Sequence, residues 1–136
     1  MEIQEWIVNN LRDDSVIIEA GAASGTDTLW FSQNFPKGKI FAFEPLRISY
    51  NRTLQRISMC NNVEVYNVAL GPRESTEELY VSSNRVSSSL LKPTGHIKFH
   101  PKISFNDKST VQTINLDNFL RDQFLEEVDL MWLDMQ

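Results

Sequence analysis

The run Val16-Ile17-Ile18-Glu19-Ala20-Gly21-Ala22-Ala23-Ser24-Gly25 constrains this chain more than any other ten residues in it. A short β-branched stretch ends beside an acid, two glycines bracket a turn of small residues, and a helical pattern follows. That order predicts a strand, a tight loop and a helix N-terminus, which together bring a ligand close to backbone amides. Gly21 can take a positive φ, and Gly25 puts no Cβ between chain and ligand.

Spacing narrows the ligand. A dinucleotide fingerprint needs glycines two and five residues after Gly21. Those positions hold Ala23 and Thr26, which disfavours NAD. An acid two residues before the first glycine, with the second glycine four residues later, suits an S-adenosylmethionine loop, and Glu19 would face the ammonium of its methionine portion. Glu44 lies 19 residues beyond Gly25, at a distance suited to accepting both ribose hydroxyls.

The alternation along the chain predicts an α/β fold with a doubly wound, mostly parallel sheet. Ile3, Trp6, Ile7 and Leu11 fall on one face of an N-terminal helix within residues 1–14. Strands are expected over Ser15–Ala20, Lys39–Phe43, Val63–Val68 and Val128–Leu133, with extra strands over Glu77–Val81 and Val111–Ile114. The last main strand is apolar enough to be buried on both faces. One helix should start near Ser24 as N-cap and stop at Pro36-Lys37-Gly38. A second covers Ile48–Met59, with Leu54 and Ile57 as its apolar positions. A third is capped by Asp117 and carries Phe119, Leu120 and Phe124. Trp30, Phe31, Phe41, Phe43 and Met131 are expected in the core. In such sheets ligands bind beyond the carboxyl ends of the strands. Three acids are expected there: Glu19, Glu44 and Asp134. Together they repel one another unless a cationic or hydroxyl-rich ligand engages them.

Composition bounds the class. Charged residues make up 23% and hydrophobic residues 41%, which is the usage of an ordinary globular domain. No run approaches the ~18–20 apolar residues of a membrane span, and one cysteine, Cys60, allows no internal disulfide. A cytoplasmic protein that does not bind membranes is the expectation. The net charge of −5 disfavours nonspecific binding of nucleic acid. His96 and His100 sit beside Pro101 outside any helical pattern, so no metal site is assigned. Residues 82–109 carry Arg85, Lys92, Lys98, Lys102 and Lys108 against Asp107, a net +4 that leaves −9 for the rest. A long aperiodic stretch of that kind reads either as solvated surface or as a lid over an anionic acceptor.

Five blocks in order then carry a family resemblance: Glu-Ala-Gly-Ala-Ala-Ser-Gly (19–25), Phe-Ala-Phe-Glu-Pro (41–45), Asn-Val-Ala-Leu-Gly (67–71), Thr-Ile-Asn-Leu-Asp (113–117) and Asp-Leu-Met-Trp-Leu-Asp-Met-Gln (129–136). Over residues 15–136 the chain resembles the FkbM-type S-adenosylmethionine-dependent methyltransferases, a class I, Rossmann-like group linked to O-methylation of sugars and other hydroxyls. The resemblance implies S-adenosylmethionine as cofactor and a small-molecule or glycan acceptor. Gly21, Ala22, Ala23, Ser24 and Gly25 would line the methionine. Glu44 and Pro45 would meet the ribose, and Asn67, Val68 and Ala69 would flank the adenine. Asp134 is the candidate catalytic base, with contact to cofactor or loop amides as its alternative role. Trp132 stands where many members have lysine. The resemblance also implies a sheet continuing past its fourth main strand, so the chain is expected to be the cofactor-binding portion of a larger enzyme. Its last strand would then offer an edge for self-association. A non-catalytic nucleotide-binding or interaction module of the same fold is the alternative.

Overall fold

A computed structural model describes residues 2–81 and 107–134 of the 136-residue chain. The elements run α1 (Ile3–Asn10), β1 (Val16–Ala20), α2 (Thr26–Asn34), β2 (Lys39–Phe43), α3 (Arg47–Arg56), β3 (Val63–Tyr66), β4 (Ala69–Leu70), β5 (Ser75–Val81), β6 (Asp107–Ile114), α4 (Leu116–Asp122) and β7 (Leu130–Leu133). The main sheet has the order β3-β2-β1-β7 and is parallel throughout. The chain leaves β1 in one direction through β2 and β3, then returns to the other side of β1 with β7. The reversal therefore lies between β1 and β7, where an open α/β sheet has its binding crevice.

Alternation along the strands splits the core in two. Ile17 and Ile40 face one way and pack with Ile7 of α1, with Phe31 of α2 and with Phe35 just past it. Ile18, Phe41 and Phe43 face the other way against Phe119 of α4. Helices thus cover both faces, as a doubly wound sheet requires. Phe119 stands edge-on to Phe41, Phe43 and Tyr66 at centroid distances of 5.0–5.5 Å, a geometry that adds attraction beyond area burial.

A second sheet, β4-β6-β5, begins where the third main strand breaks. The expected strand over Val63–Val68 ends at Tyr66, and Asn67 and Val68 turn the chain into β4. There Ala69 and Leu70 pair with Thr113 and Ile114. The two extra strands exist and are longer than their apolar cores suggest. They pair antiparallel from Ser75↔Thr113 to Val81↔Asp107. Of the basic stretch 82–109, residues 82–106, including His96 and His100, lie outside the described residues.

Several local expectations are corrected. Gly25, at φ +83°, occupies the N-cap position of α2 without a side-chain cap, while the Ser24 hydroxyl meets that of Thr26 at 3.1 Å. Asn115 caps α4, its Oδ1 accepting from Asn118 N–H at 3.1 Å, and Asp117 falls inside the helix. Leu54 is 40% exposed, because α3 buries Ser49 and Thr53 toward the glycine loop. Phe124 lies beyond α4 at φ +57° and is 91% exposed. On α1 only Ile7 is buried, and Ile3 and Trp6 project outward. β7 is half covered: Leu130 and Trp132 pack beneath α2, whereas Met131 and Leu133 remain exposed on the α4 side.

Candidate functional site

Parallel pairing brings the carboxyl ends of β1, β2, β3 and β7 to one rim. Backbone hydrogen bonds tie the segments that follow them. Gly21 and Ala22 N–H groups donate to Phe43 O at 2.8 and 3.3 Å, Glu44 N–H to Tyr66 O at 2.9 Å, and Asp134 N–H to Ala20 O at 2.9 Å. The loop after β1 is tightly wound. Gly21 and Gly25 take φ of +87° and +83°, and Ala23, which has a Cβ, takes +54°. A left-handed alanine is unfavourable alone, so its neighbours must hold it.

Glu44 is one of them. Its Oε1 accepts Ala23 N–H at 2.8 Å and its Oε2 accepts Leu46 N–H at 2.8 Å, so one carboxylate clamps the loop and anchors the residue that opens α3. The side chain is buried, and burial raises its pKa while the two N–H donors work against that rise. Asn67 continues the chain of contacts, its Nδ2 donating to the carbonyls of Glu44 and Pro45 at 2.9 Å each. Val68 packs against the α4-side core, and Ala69 is buried at the start of β4.

Glu19 points beneath α2 rather than onto the rim. It is 1% exposed, and Oε1 accepts the Thr28 hydroxyl at 2.5 Å. Burial is the main cause lifting its pKa to about 7. The Thr28 hydrogen bond lowers it, and the charges of Asp27, Asp134 and Glu44 raise it. Those four acids form one field, and none of them is in an ion pair among the described residues. Asp27 accepts Trp132 Nε1–H at 3.2 Å, and the indole stands edge-on to Phe31 at 5.6 Å. Trp132 therefore ties β7 to the first turn of α2. Asp134 follows β7 directly and is exposed.

The structure thus gathers Gly21 to Gly25, Glu44, Pro45, Asn67 and Asp134 at the rim, with Val68 and Ala69 leading away from it. Glu19 lies one layer beneath. Sequence reasoning missed Thr28, Asp27, Thr53 and Arg56, all supplied by helices. Asp27 alone left a signal, as an acid in a helix first turn. No group of three or more His, Cys, Asp or Glu among the described residues could hold a metal ion. No described helix is long and apolar enough to cross a membrane.

Residues 19–136 match the family model described as the methyltransferase FkbM domain. The chain is 26% identical over 144 residues to 2-O-methyltransferase NoeI of Sinorhizobium fredii, covering 100% of this chain and 59% of NoeI. It is 26% identical over 153 residues to methyltransferase sdnD of Sordaria araneosa, covering 95% of this chain and 59% of sdnD. The chain thus spans about three fifths of the length of both curated relatives. Among solved structures, a putative rRNA-methylase from Clostridium thermocellum aligns at 16% identity and a TM-score of 0.45, over 48% of this chain and 38% of that one.

Proposed function

The chain belongs to the FkbM methyltransferase family, and from that premise we propose that it binds S-adenosylmethionine at the rim and serves O-methylation of a hydroxyl acceptor. The observation that carries the reading is the field of Glu19, Asp27, Glu44 and Asp134, which no cationic side chain neutralises by an ion pair among the described residues. S-adenosylmethionine bears an ammonium, a sulfonium and two ribose hydroxyls, and the rim suits them: a negative field for the cations, the Glu44 carboxylate for the hydroxyls and a small-residue loop for close backbone approach. When bound, the cofactor supplies a methyl group on an already activated sulfonium.

The chain's own residues then have limited tasks. Gly21 to Gly25 give the methionine portion a surface with no large side chain. Glu44 accepts ribose hydroxyls through the lone pairs left over from Ala23 and Leu46. Asn67, Val68 and Ala69 border the adenine. Asp134, exposed beside Ala20, takes the acceptor hydroxyl's proton late in the transfer. Positioning and exclusion of water do the rest. The name of NoeI, a 2-O-methyltransferase, supports an oxygen acceptor, and we extend this to a small molecule or glycan, methylated in the cytoplasm. The basic stretch 82–109 would suit an anionic acceptor. Acceptor and activity belong to the whole enzyme, of which residues 1–136 would be the cofactor-binding portion.

The test is methyl transfer from labelled S-adenosylmethionine by the full natural chain to a panel of hydroxyl, amine and thiol acceptors. A methyl ether product is expected. Asp134→Asn should lower kcat by about 10²-fold or more, with a much smaller loss of cofactor affinity from the removed charge. Transfer to nitrogen or sulfur alone would contradict the oxygen reading. Cofactor binding without transfer to any acceptor would favour the non-catalytic alternative.

A further inference from the structure

Helix α3 makes three successive contacts with the cofactor loop. The Thr53 hydroxyl lies 3.2 Å from Ala23 O and 3.0 Å from Ser49 O, so its one proton is shared between the loop and the helix's own preceding turn. Arg56 Nε–H donates to Ser24 O at 2.9 Å. At Gly25 the helix comes so close that an added Cβ would stand 3.0 Å from Thr53 Cα and 3.1 Å from its Cγ2. Thr53 is wholly buried. Ser or Thr bonding to the carbonyl four residues back is common in helices. A hydroxyl that also reaches a left-handed loop residue is a different arrangement, because it adds a donor where strain must be offset.

The geometry points to Thr53 and Arg56 as positioning residues that set the cofactor loop for binding; this rests on the cofactor reading above. A peptide unit is planar, with its C=O and N–H on opposite sides. Holding Ala23 O toward Thr53 therefore turns the Ser24 N–H away from α3, and that N–H has no partner among the described residues. Holding Ser24 O toward Arg56 fixes the next peptide plane, whose N–H, from Gly25, closes the turn onto Ala22 O at 2.9 Å. Glu44 grips Ala23 by its N–H while Thr53 grips it by its carbonyl, so the strained residue is held from both ends. Neither Thr53 nor Arg56 need touch the cofactor. Their part is to keep the loop in the one shape that presents the Ser24 amide outward.

The test compares Thr53→Val, which keeps the shape and removes the hydroxyl, with Thr53→Ser, which keeps the hydroxyl, in the full natural chain. Two readouts are taken: amide hydrogen exchange without ligand, and titration with S-adenosylhomocysteine. In Thr53→Val, exchange at Ala23 and Gly25 should quicken about tenfold or more while Ile17, Ile18 and Glu19 in β1 keep wild-type rates. Affinity should fall by a similar factor. Thr53→Ser should restore both, and Arg56→Gln should give a smaller loss than Thr53→Val. Unchanged loop exchange in Thr53→Val would overturn the proposal, as would a Thr53→Ser variant as loose as Thr53→Val, which would assign the effect to the methyl group. A looser loop in a protein whose wild type does not bind S-adenosylhomocysteine would leave the positioning role standing and remove the cofactor reading.

Discussion

At the amino end of the parallel sheet, Asp129 accepts Val16 N–H at 2.8 Å and stands 3.6 Å from the Arg12 guanidinium, which also meets Asp14 at 3.2 Å. Lys37 faces Asp13 at 3.8 Å nearby. At the carboxyl end, Glu19, Asp27, Glu44 and Asp134 gather with no ion pair among the described residues, and Glu19 is raised to about 7, chiefly by burial. One end holds its acids in arrangements that serve the fold. The other leaves them electrostatically unfavourable, beside an alanine in a left-handed conformation. Strain and unpaired charge concentrate where a ligand can relieve them, so the proposed cofactor site rests on the difference between the two ends more than on any single residue.

Glycines at the two ends should separate most widely. Gly25→Ala must place a Cβ at φ +83° against the α3 backbone. Left-handed strain alone is about 1–2 kcal/mol, and S-adenosylhomocysteine affinity should drop by at least about tenfold, equivalent to about 1.4 kcal/mol. Gly38→Ala would drive its Cβ into the Ser15 carbonyl oxygen. Stability should fall by roughly 1–3 kcal/mol from overpacking, with affinity per folded molecule unchanged. Chemical denaturation and calorimetric titration of both variants check the pair. Equal loss of affinity in both would erase the distinction.

Glu19→Gln sharpens the contrast through pH. The folded carboxyl holds its proton up to about pH 7, against an ordinary value of 4.5. The native state therefore binds more protons than the unfolded state between those values, and stability falls as pH rises through that window. Below pH 4.5 the burial of Glu19 brings no ionisation penalty; above pH 7 the full penalty applies, at most about 3 kcal/mol. Glutamine can still accept from Thr28 and carries no charge. The variant should melt higher than wild type at pH 8 and close to it at pH 4.5. A variant less stable at pH 8 would contradict the electrostatic account of the rim.

At the amino end the effects should be smaller. Asp129→Asn keeps an acceptor for Val16 N–H and loses its charge, at a cost of about 1 kcal/mol. Arg12→Ala should change stability by less than about 0.5 kcal/mol, since its partners are partly or largely exposed. Neither should alter cofactor affinity, and a change in affinity there would mean that the two ends are coupled.

The parallel sheet and the loop were legible because period, glycine placement and strand-end acids are local signals. Asp134 and Glu44 stand at their strand ends as the spacing implied. The orientation of Glu19 was not legible, because it depends on which face β1 turns toward α2, and that follows from packing Ile17 against Phe31 and Phe35. Thr53 and Arg56 also escaped notice: their partners are backbone carbonyls 30 and 32 residues away, and backbone atoms leave no mark in a sequence. The Ser24 cap failed because Gly25 closes the turn onto Ala22 one residue later. The break after Tyr66 was hidden because Asn67-Val68 continues an extended pattern while its hydrogen bonds pass to Glu44 and Pro45.

The central claim is that the carboxyl rim is a site for S-adenosylmethionine. Isothermal titration of the full natural chain with S-adenosylhomocysteine and, separately, with NAD tests it most directly. The account predicts saturable one-to-one binding of S-adenosylhomocysteine, weakened about tenfold or more by Glu44→Ala through lost charge-assisted hydrogen bonds of roughly 1.5–3 kcal/mol, and no binding of NAD. Binding of NAD in place of S-adenosylhomocysteine, or equal affinity in wild type and Glu44→Ala, would contradict it.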